Sequence, residues 1–237
     1  MLPYFLRKFI RNPFLTTRNA IYKVFIAPLR YRRGRGYDAE GYWRDRLSKY
    51  GMSLQGVGDE GLSEEENRRE YEAAADAFRA LCREEGLNLQ EAAVGEIGVG
   101  TGFYADVLAG AGVKSYVGTD ITEVLFAGLK EKHPTFTFLR RDITAEAMDG
   151  EYDLVVMMDV VEHIVEEEKL EAAMRHVRGA IKQGGVFILS GVREETRRFL
   201  FHYHGWSAGD ILKHFPGCAH KGPMRYRNNY VLVIRRA

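Results

Sequence analysis

The chain has 237 residues, 46% of them hydrophobic and 28% charged, with a formal net charge of +1. That length holds one ordinary domain with an appendage and excludes two full catalytic domains, while the composition excludes wholesale disorder, collagen-like repeats and a disulfide framework. Two cysteines without CxxC spacing, Cys82 and Cys218, point to a reducing compartment, so the cytoplasm is the expected location.

Charge divides the chain unevenly. Residues 1–36 carry nine basic side chains (Arg7, Lys8, Arg11, Arg18, Lys23, Arg30, Arg32, Arg33, Arg35) and no acidic one, leaving the body all 33 acids against 25 bases. In this arm Phe5, Leu6, Phe9, Ile10 and Phe14 are followed by Ile21, Tyr22, Phe25, Ile26 and Leu29 at helical spacing, with breaks at Pro13 and Pro28. No apolar run reaches the ~18 residues of a membrane span. Three readings stay open: an arm packed on its own body or a partner, a membrane-surface helix giving peripheral contact through residues 1–36, and an organellar presequence.

Residues 37–90 read as a helical lead-in that helps cover a ligand. Ser63-Glu64-Glu65-Glu66 spells a capping box, and Tyr71, Ala74, Ala75, Phe78 and Leu81 form one stripe of the helix that follows. Gly86 ends that helix, and the Gly51–Gly61 stretch reads as a loop. From residue 91 to 237 short apolar runs alternate with helical ones. Strands are expected at Ala93–Val99, Tyr116–Ile121, Phe136–Leu139, Tyr152–Met158, Val186–Leu189 and Tyr230–Ile234. Helices are expected at Tyr104–Ala111, Glu123–Lys132, Glu166–Lys182 and Ser207–Phe215. This alternation predicts an α/β domain with a mostly parallel sheet covered on both faces.

Ligands of such sheets bind beyond the carboxyl ends of the strands, where strand order reverses. The first run ends in Glu96-Ile97-Gly98-Val99-Gly100-Thr101-Gly102-Phe103-Tyr104, a loop whose glycines let backbone approach a ligand. The second ends in Asp120-Ile121, an acid suited to ribose hydroxyls. The third ends in Asp142-Ile143, a carboxylate beside an apolar surface for an adenine. The fourth ends in Asp159-Val160-Val161-Glu162-His163. Together these tips describe a pocket for an adenosine-bearing cofactor. The G-x-G-x-x-G fingerprint fails at Phe103, and the P-loop pattern is absent.

The ordered set Glu96, Gly98, Gly100, Gly102, Asp120, Asp142 and Asp159 resembles that of the class I S-adenosylmethionine-dependent methyltransferases over roughly Ala92–Ala237. The resemblance implies a Rossmann-like sandwich with a seven-stranded sheet, one antiparallel C-terminal strand and N-terminal helices. It implies S-adenosyl-L-methionine as cofactor, with Glu96 and the glycine loop at its amino-acid end, Asp120 at the ribose, Asp142 at the adenine, Asp159 beside the methyl donor, and Tyr104, Ile121 and Ile143 among the cofactor-binding residues. The Asp159–His163 segment is similar to that of quinone-biosynthesis O-methyltransferases, which makes His163 a candidate base. His202 and His204 are further candidates, sharing a face if the chain is extended and lining an acceptor pocket with Tyr203 and Trp206. Glu162 and His163 are too few for a metal site, so none is expected.

The expected acceptor is an oxygen of a small molecule, lipid or glycan. Nucleic acid is disfavoured, because neither the family's Pro-Pro motif for adenine amines nor a cysteine placed for attack on a pyrimidine is present. Two rivals remain: an RNA methyltransferase gripping through Tyr31, Arg32, Arg33 and Arg35, and a methyltransferase-like module without turnover. The oligomeric state is left open.

Overall fold

The computed structural model describes residues 13–237. Arg7, Lys8, Arg11 and the apolar residues at 5, 6, 9 and 10 lie outside the described residues. The chain opens with α1 (Pro13–Ile21), a π-helical turn over Tyr22–Ile26, and α2 (Ala27–Tyr31). Two-residue strands β1 (Arg32–Arg33) and β2 (Gly36–Tyr37) pair antiparallel. Asp38 then caps α3 (Ala39–Tyr50) by accepting from the Gly41 N–H. The glycine-rich stretch expected to be a loop contains a short helix, α4 (Leu54–Val57). In α5 (Glu64–Glu84) both arms of the Ser63/Glu66 capping box form, and the stripe read from the sequence is its buried face.

Strands and helices then alternate: β3 (Ala93–Ile97), α6 (Phe103–Gly110), β4 (Ser115–Asp120), α7 (Phe126–Lys132), β5 (Thr137–Arg140) and β6 (Tyr152–Met157). A 3-10 turn at Val161–His163 leads to α8 (Glu167–Ala180) and the long β7 (Ile181–Val192). A small hairpin, β8 (Arg197–Leu200) and β9 (Tyr203–Gly205), precedes α9 (Ala208–Leu212), β10 (Ala219–Tyr226) and β11 (Asn229–Arg235).

The sheet order is β10-β11-β7-β6-β3-β4-β5. The strands β7-β6-β3-β4-β5 pair parallel, and β11 runs antiparallel to both of its neighbours. Order reverses beside β3, because the chain moves outward through β4 and β5 and then returns to β3's other side with β6. Strand side chains alternate between two cores. Leu154, Val156, Val186, Ile188, Val231 and Val233 pack with α5, α6 and α7, while Val155, Met157, Phe187, Leu189, Leu232 and Ile234 pack with α8 and α9. A third cluster joins Ala27, Tyr31, Tyr37 and Tyr42 to Val165 and Phe201. It fastens the N-terminal helices over the sheet's carboxyl end.

Three differences from the sequence reading have physical causes. The helix expected from Glu123 starts at Phe126, preceded by a turn at Asp120–Thr122 in which Asp120 accepts the Thr122 N–H. The helix expected to reach Lys182 stops at Ala180, because Ile181 already pairs with Tyr152 in the sheet. Strand β10 was not foreseen. It is one edge of the sheet and mostly exposed, and its polar, basic residues carry no apolar alternation.

Candidate functional site

The tips of β3, β4, β5 and β6 converge on one cleft of about 1150 Å³, counted to its open mouth. Glu96, Gly98, Gly100, Tyr104, Asp120, Ile121, Asp142, Ile143, Asp159 and His163 all line it. Gly98 has φ +78°, and a Cβ there would collide with the Val160 side chain. The bare backbone is thus what allows β3 and the β6 tip to meet beneath the cleft.

Gly102 is different. It does not line the cleft, and as the N-cap of α6 it is bare because a Cβ would strike Leu129. Its bareness serves the packing of α6 against α7.

The acids of the floor are held in distinct ways. Asp120 accepts the Gly100 N–H at 2.9 Å and the Thr122 N–H at 3.1 Å, one on each oxygen, which leaves further lone pairs for a pair of hydroxyls. Burial raises its pKa against these N–H groups. Glu96 accepts the Tyr116 hydroxyl at 2.6 Å, and burial pushes its pKa up to about 8, opposed by that hydrogen bond and aided by nearby Asp120. Asp142 folds back in an Asx turn, Oδ1 accepting from the backbone N–H and hydroxyl of Thr144.

Asp159, with φ 56°, borders the cleft, and its carboxylate is held by three donors. It accepts from the Ser190 hydroxyl at 2.7 Å, from Asn229 Nδ2 at 2.8 Å and from Arg227. These partners stand on β7, β11 and the β10–β11 turn, so Asp159 ties the C-terminal strands to the site. Beside it Glu162 is buried with Oε2 lacking a hydrogen-bond partner, and burial followed by the charge of Asp159 raises its pKa to about 8. Tyr104 presents its ring: Tyr226 gives its own hydrogen to the Ala74 carbonyl, so the Tyr104 hydroxyl donates to Tyr226 at 2.6 Å.

The three histidines separate. His163 lines the cleft, its ring 4.8 Å from that of Trp43. Nδ1 lies 3.0 Å from the His202 carbonyl, which can only accept, so Nδ1 carries the hydrogen and Nε2 is the basic nitrogen. Burial lowers its pKa to about 4 and keeps the ring neutral at physiological pH. His202 and His204 do not line the cleft. His202 is buried against Tyr37, Tyr42 and Phe201, and His204 stacks 4.0 Å from Trp206. A turn between β8 and β9 breaks the extended geometry that would have aligned them. Tyr203 and Trp206 likewise stay out of the cleft, and the Trp206 Nε1–H donates to the Ile164 carbonyl at 2.7 Å. No group of three potential metal ligands gathers among the described residues.

The roof comes from the lead-in. Tyr37, Trp43 and Leu47 on β2 and α3, Val57 on α4, and Tyr71 on α5 close over the floor. Half-buried Arg46 holds α4 in place, its Nε donating to the Gly56 carbonyl at 2.5 Å and its Nη2 to the Gly58 carbonyl at 3.0 Å. That brings Val57 directly over Gly100, where a Cβ would meet it. The Tyr37 hydroxyl donates to the His163 carbonyl at 3.1 Å, joining roof to floor. The sequence reading assigned cover to this region without naming residues. The i, i+4 spacing of Trp43 and Leu47 was the available signal, though the same spacing also describes an ordinary core stripe.

The residues fit an adenosine-bearing sulfonium cofactor. A carboxylate with spare lone pairs stands at the second strand tip, an acid and an isoleucine stand at the third, and buried Thr101 Oγ1 lacks a partner within the chain.

A family model described as a methyltransferase domain matches residues 94–185, from β3 into β7. The chain is 30% identical over 132 residues to a ubiquinone biosynthesis O-methyltransferase of Methylococcus capsulatus, covering 53% of this chain and 53% of that protein. The chain thus spans about half the length of that curated relative. Among solved structures it resembles magnesium protoporphyrin IX methyltransferase from Synechocystis PCC 6803 with bound SAH, with TM-score 0.64, 22% identity, and coverage of 84% of this chain and 100% of that one. It also resembles the sugar N-methyltransferase KedS8 from Streptoalloteichus sp ATCC 53650, with TM-score 0.58, 14% identity, and coverage of 70% and 87%. At these identities the solved structures speak for the fold.

Proposed function

We propose that this chain, which carries a class I methyltransferase domain of the S-adenosylmethionine-dependent family, transfers a methyl group to an oxygen of a small, largely apolar acceptor. The observation that carries the reading is the convergence of four strand tips on one cleft, with Glu96, Gly98, Gly100, Asp120 and Asp142 all lining it. Residues 91–237 then serve as the cofactor-binding body, residues 37–90 as the roof, and residues 1–36 as a separate arm.

When bound, S-adenosylmethionine supplies a methyl group on a positively charged sulfur. Asp120 accepts the ribose hydroxyls with the lone pairs its two N–H donors leave free. Asp142 and Ile143 take the adenine edge and face, while Glu96 and the Gly98–Gly100 backbone hold the amino-acid end. The roof of Tyr37, Trp43, Leu47 and Tyr71 excludes water and shapes the acceptor side.

His163 removes the acceptor's hydroxyl proton at Nε2. Its Nδ1–H anchor on the His202 carbonyl fixes the tautomer and leaves Nε2 as the accepting nitrogen. Oxygen rather than nitrogen is favoured because a neutral amine can attack without such a base. Labelled methyl donor with an acceptor panel tests the reading. Transfer to hydroxyls that is lost in His163→Ala supports it, and amine methylation indifferent to that change refutes it.

A further inference from the structure

The arm carries a feature that the methyltransferase reading does not absorb. Helix α1, the π-turn and α2 form one helical stretch from Pro13 to Tyr31, and it is amphipathic in the inverted sense. The side turned to the body is small or polar: Thr16, Asn19, Ala20 and Lys23 are half-buried, and Ala27 and Tyr31 are buried. Lys23 pairs there with Glu60 at 2.9 Å. The outer side carries Phe14, Ile21, Tyr22, Phe25, Ile26 and Leu29, with Phe14, Phe25 and Leu29 exposed to 78%, 66% and 87%. Seven of the ten large hydrophobic side chains exposed among the described residues fall between positions 14 and 29, so the patch is local and not scattered surface.

A helix packed for folding alone turns its apolar face inward. This one holds its aromatic side outward, and exposed cations accompany it within the helix and just after it. Arg18, Arg30, Arg32, Arg33 and Arg35 are all exposed, and residues 13–36 contain no acid. Arg30 pairs with Asp45, and Arg33 reaches Asp38 only at 3.7 Å. We infer that this helix is a docking surface for an anionic phospholipid bilayer, lying in the interface plane with its apolar side among the acyl chains and its arginines at the headgroup phosphates. An RNA partner matches the charge but leaves the apolar stripe unused, and a second copy of the chain meets its own positive charge. No helix among the described residues is long and apolar enough to cross a membrane, consistent with a surface mode. Helix α2 leads through the short β1–β2 hairpin to Tyr37 of the cleft roof, so docking holds the roof close to the lipid.

The test is flotation of the full chain with phosphatidylcholine vesicles containing phosphatidylglycerol, beside phosphatidylcholine alone. Binding is expected to the anionic vesicles and to fall as salt rises. The exposed double variant Phe25→Ser/Leu29→Ser should weaken partitioning by about a hundredfold, with its circular dichroism and thermal transition unchanged. Arg32→Gln/Arg35→Gln should weaken it chiefly at low salt. No flotation, or flotation undiminished in Phe25→Ser/Leu29→Ser, overturns the inference. So does a wild-type dimer that this variant converts to monomer, or RNA binding that replaces vesicle binding. The readout is binding alone, so it stands or falls independently of methyl transfer.

Discussion

The floor and the roof of the cleft are built on opposite principles. The floor consists of strand tips in one hydrogen-bonded sheet, and its contact groups are short acids and bare backbone fixed by N–H donors, as at Asp120 and Gly100. The roof consists of aromatic and aliphatic side chains on helices α3, α4 and α5 and strand β2, joined to the body through the Tyr31–Tyr37–Tyr42–Phe201 cluster and single hydrogen bonds such as Tyr37 to His163. A floor of this kind recognises a constant, polar partner with fixed geometry. A roof of packed rings can be exchanged without disturbing the sheet, so it suits the variable partner. On the proposed reading the cofactor lies on the floor and the acceptor under the roof, with His163 lining the cleft between them.

That division can be broken by experiment. The largest effect is expected at the junction. His163→Ala should lower kcat by about a hundredfold or more while leaving S-adenosylhomocysteine affinity within about twofold of wild type. A matching loss of cofactor affinity would move His163 into the floor. Trp43→Ala should raise the acceptor KM by about tenfold through lost ring contact, again with cofactor affinity held. Cofactor binding weakened as much as acceptor binding would erase the distinction.

The smallest effect is on stability and sharpens the floor's electrostatics. Glu96 and Glu162 keep their protons to about pH 8 in the fold, whereas an unfolded glutamate releases its proton near 4.5. Between those values the folded chain binds more protons, so these groups make stability fall as pH rises and the loss is complete above about 8. His163, lowered to about 4, and His202, also lowered, work the other way below 6.5, where the unfolded chain binds more protons and stability rises with pH. From 6.5 to 8 the carboxyls act unopposed by these histidines. Urea unfolding across that window should show a decline of about 1.5 kcal/mol per carboxyl, and Glu162→Gln should remove one share. An unchanged slope in the variant would show that Glu162 is ionised in the fold.

The same contrast explains what could be read from the sequence. Floor residues announce themselves because strand, tip and glycine turn are contiguous: Glu96 to Gly100, Asp120 and Asp142 each end an apolar run, and the sheet brings those ends together. Two members of the ordered set have structural ties that the sequence did not show. Gly102 is bare for Leu129, and Asp159 answers to Ser190, Asn229 and Arg227, partners 31 to 70 positions away that no nearby pattern reveals. His202 and His204 were grouped by an assumed extended chain that the β8–β9 turn does not provide. The roof stayed unnamed because Trp43, Leu47 and Tyr71 sit in helices where any apolar position has two candidate neighbours, core or ligand, and only tertiary packing chooses. The charge of the arm was plain in the sequence. Its inverted face was not, because periodicity gives the existence of an apolar side and not the direction in which it points.

Isothermal titration with S-adenosylhomocysteine tests the cofactor floor most directly, since it needs no acceptor. Wild-type protein should bind with one site per chain, and Asp120→Ala should lose about 1.5–3 kcal/mol of that affinity through missing charge-assisted hydrogen bonds. Absence of heat with a folded wild-type chain, or equal binding by the variant, would contradict the assignment of the strand tips to the cofactor.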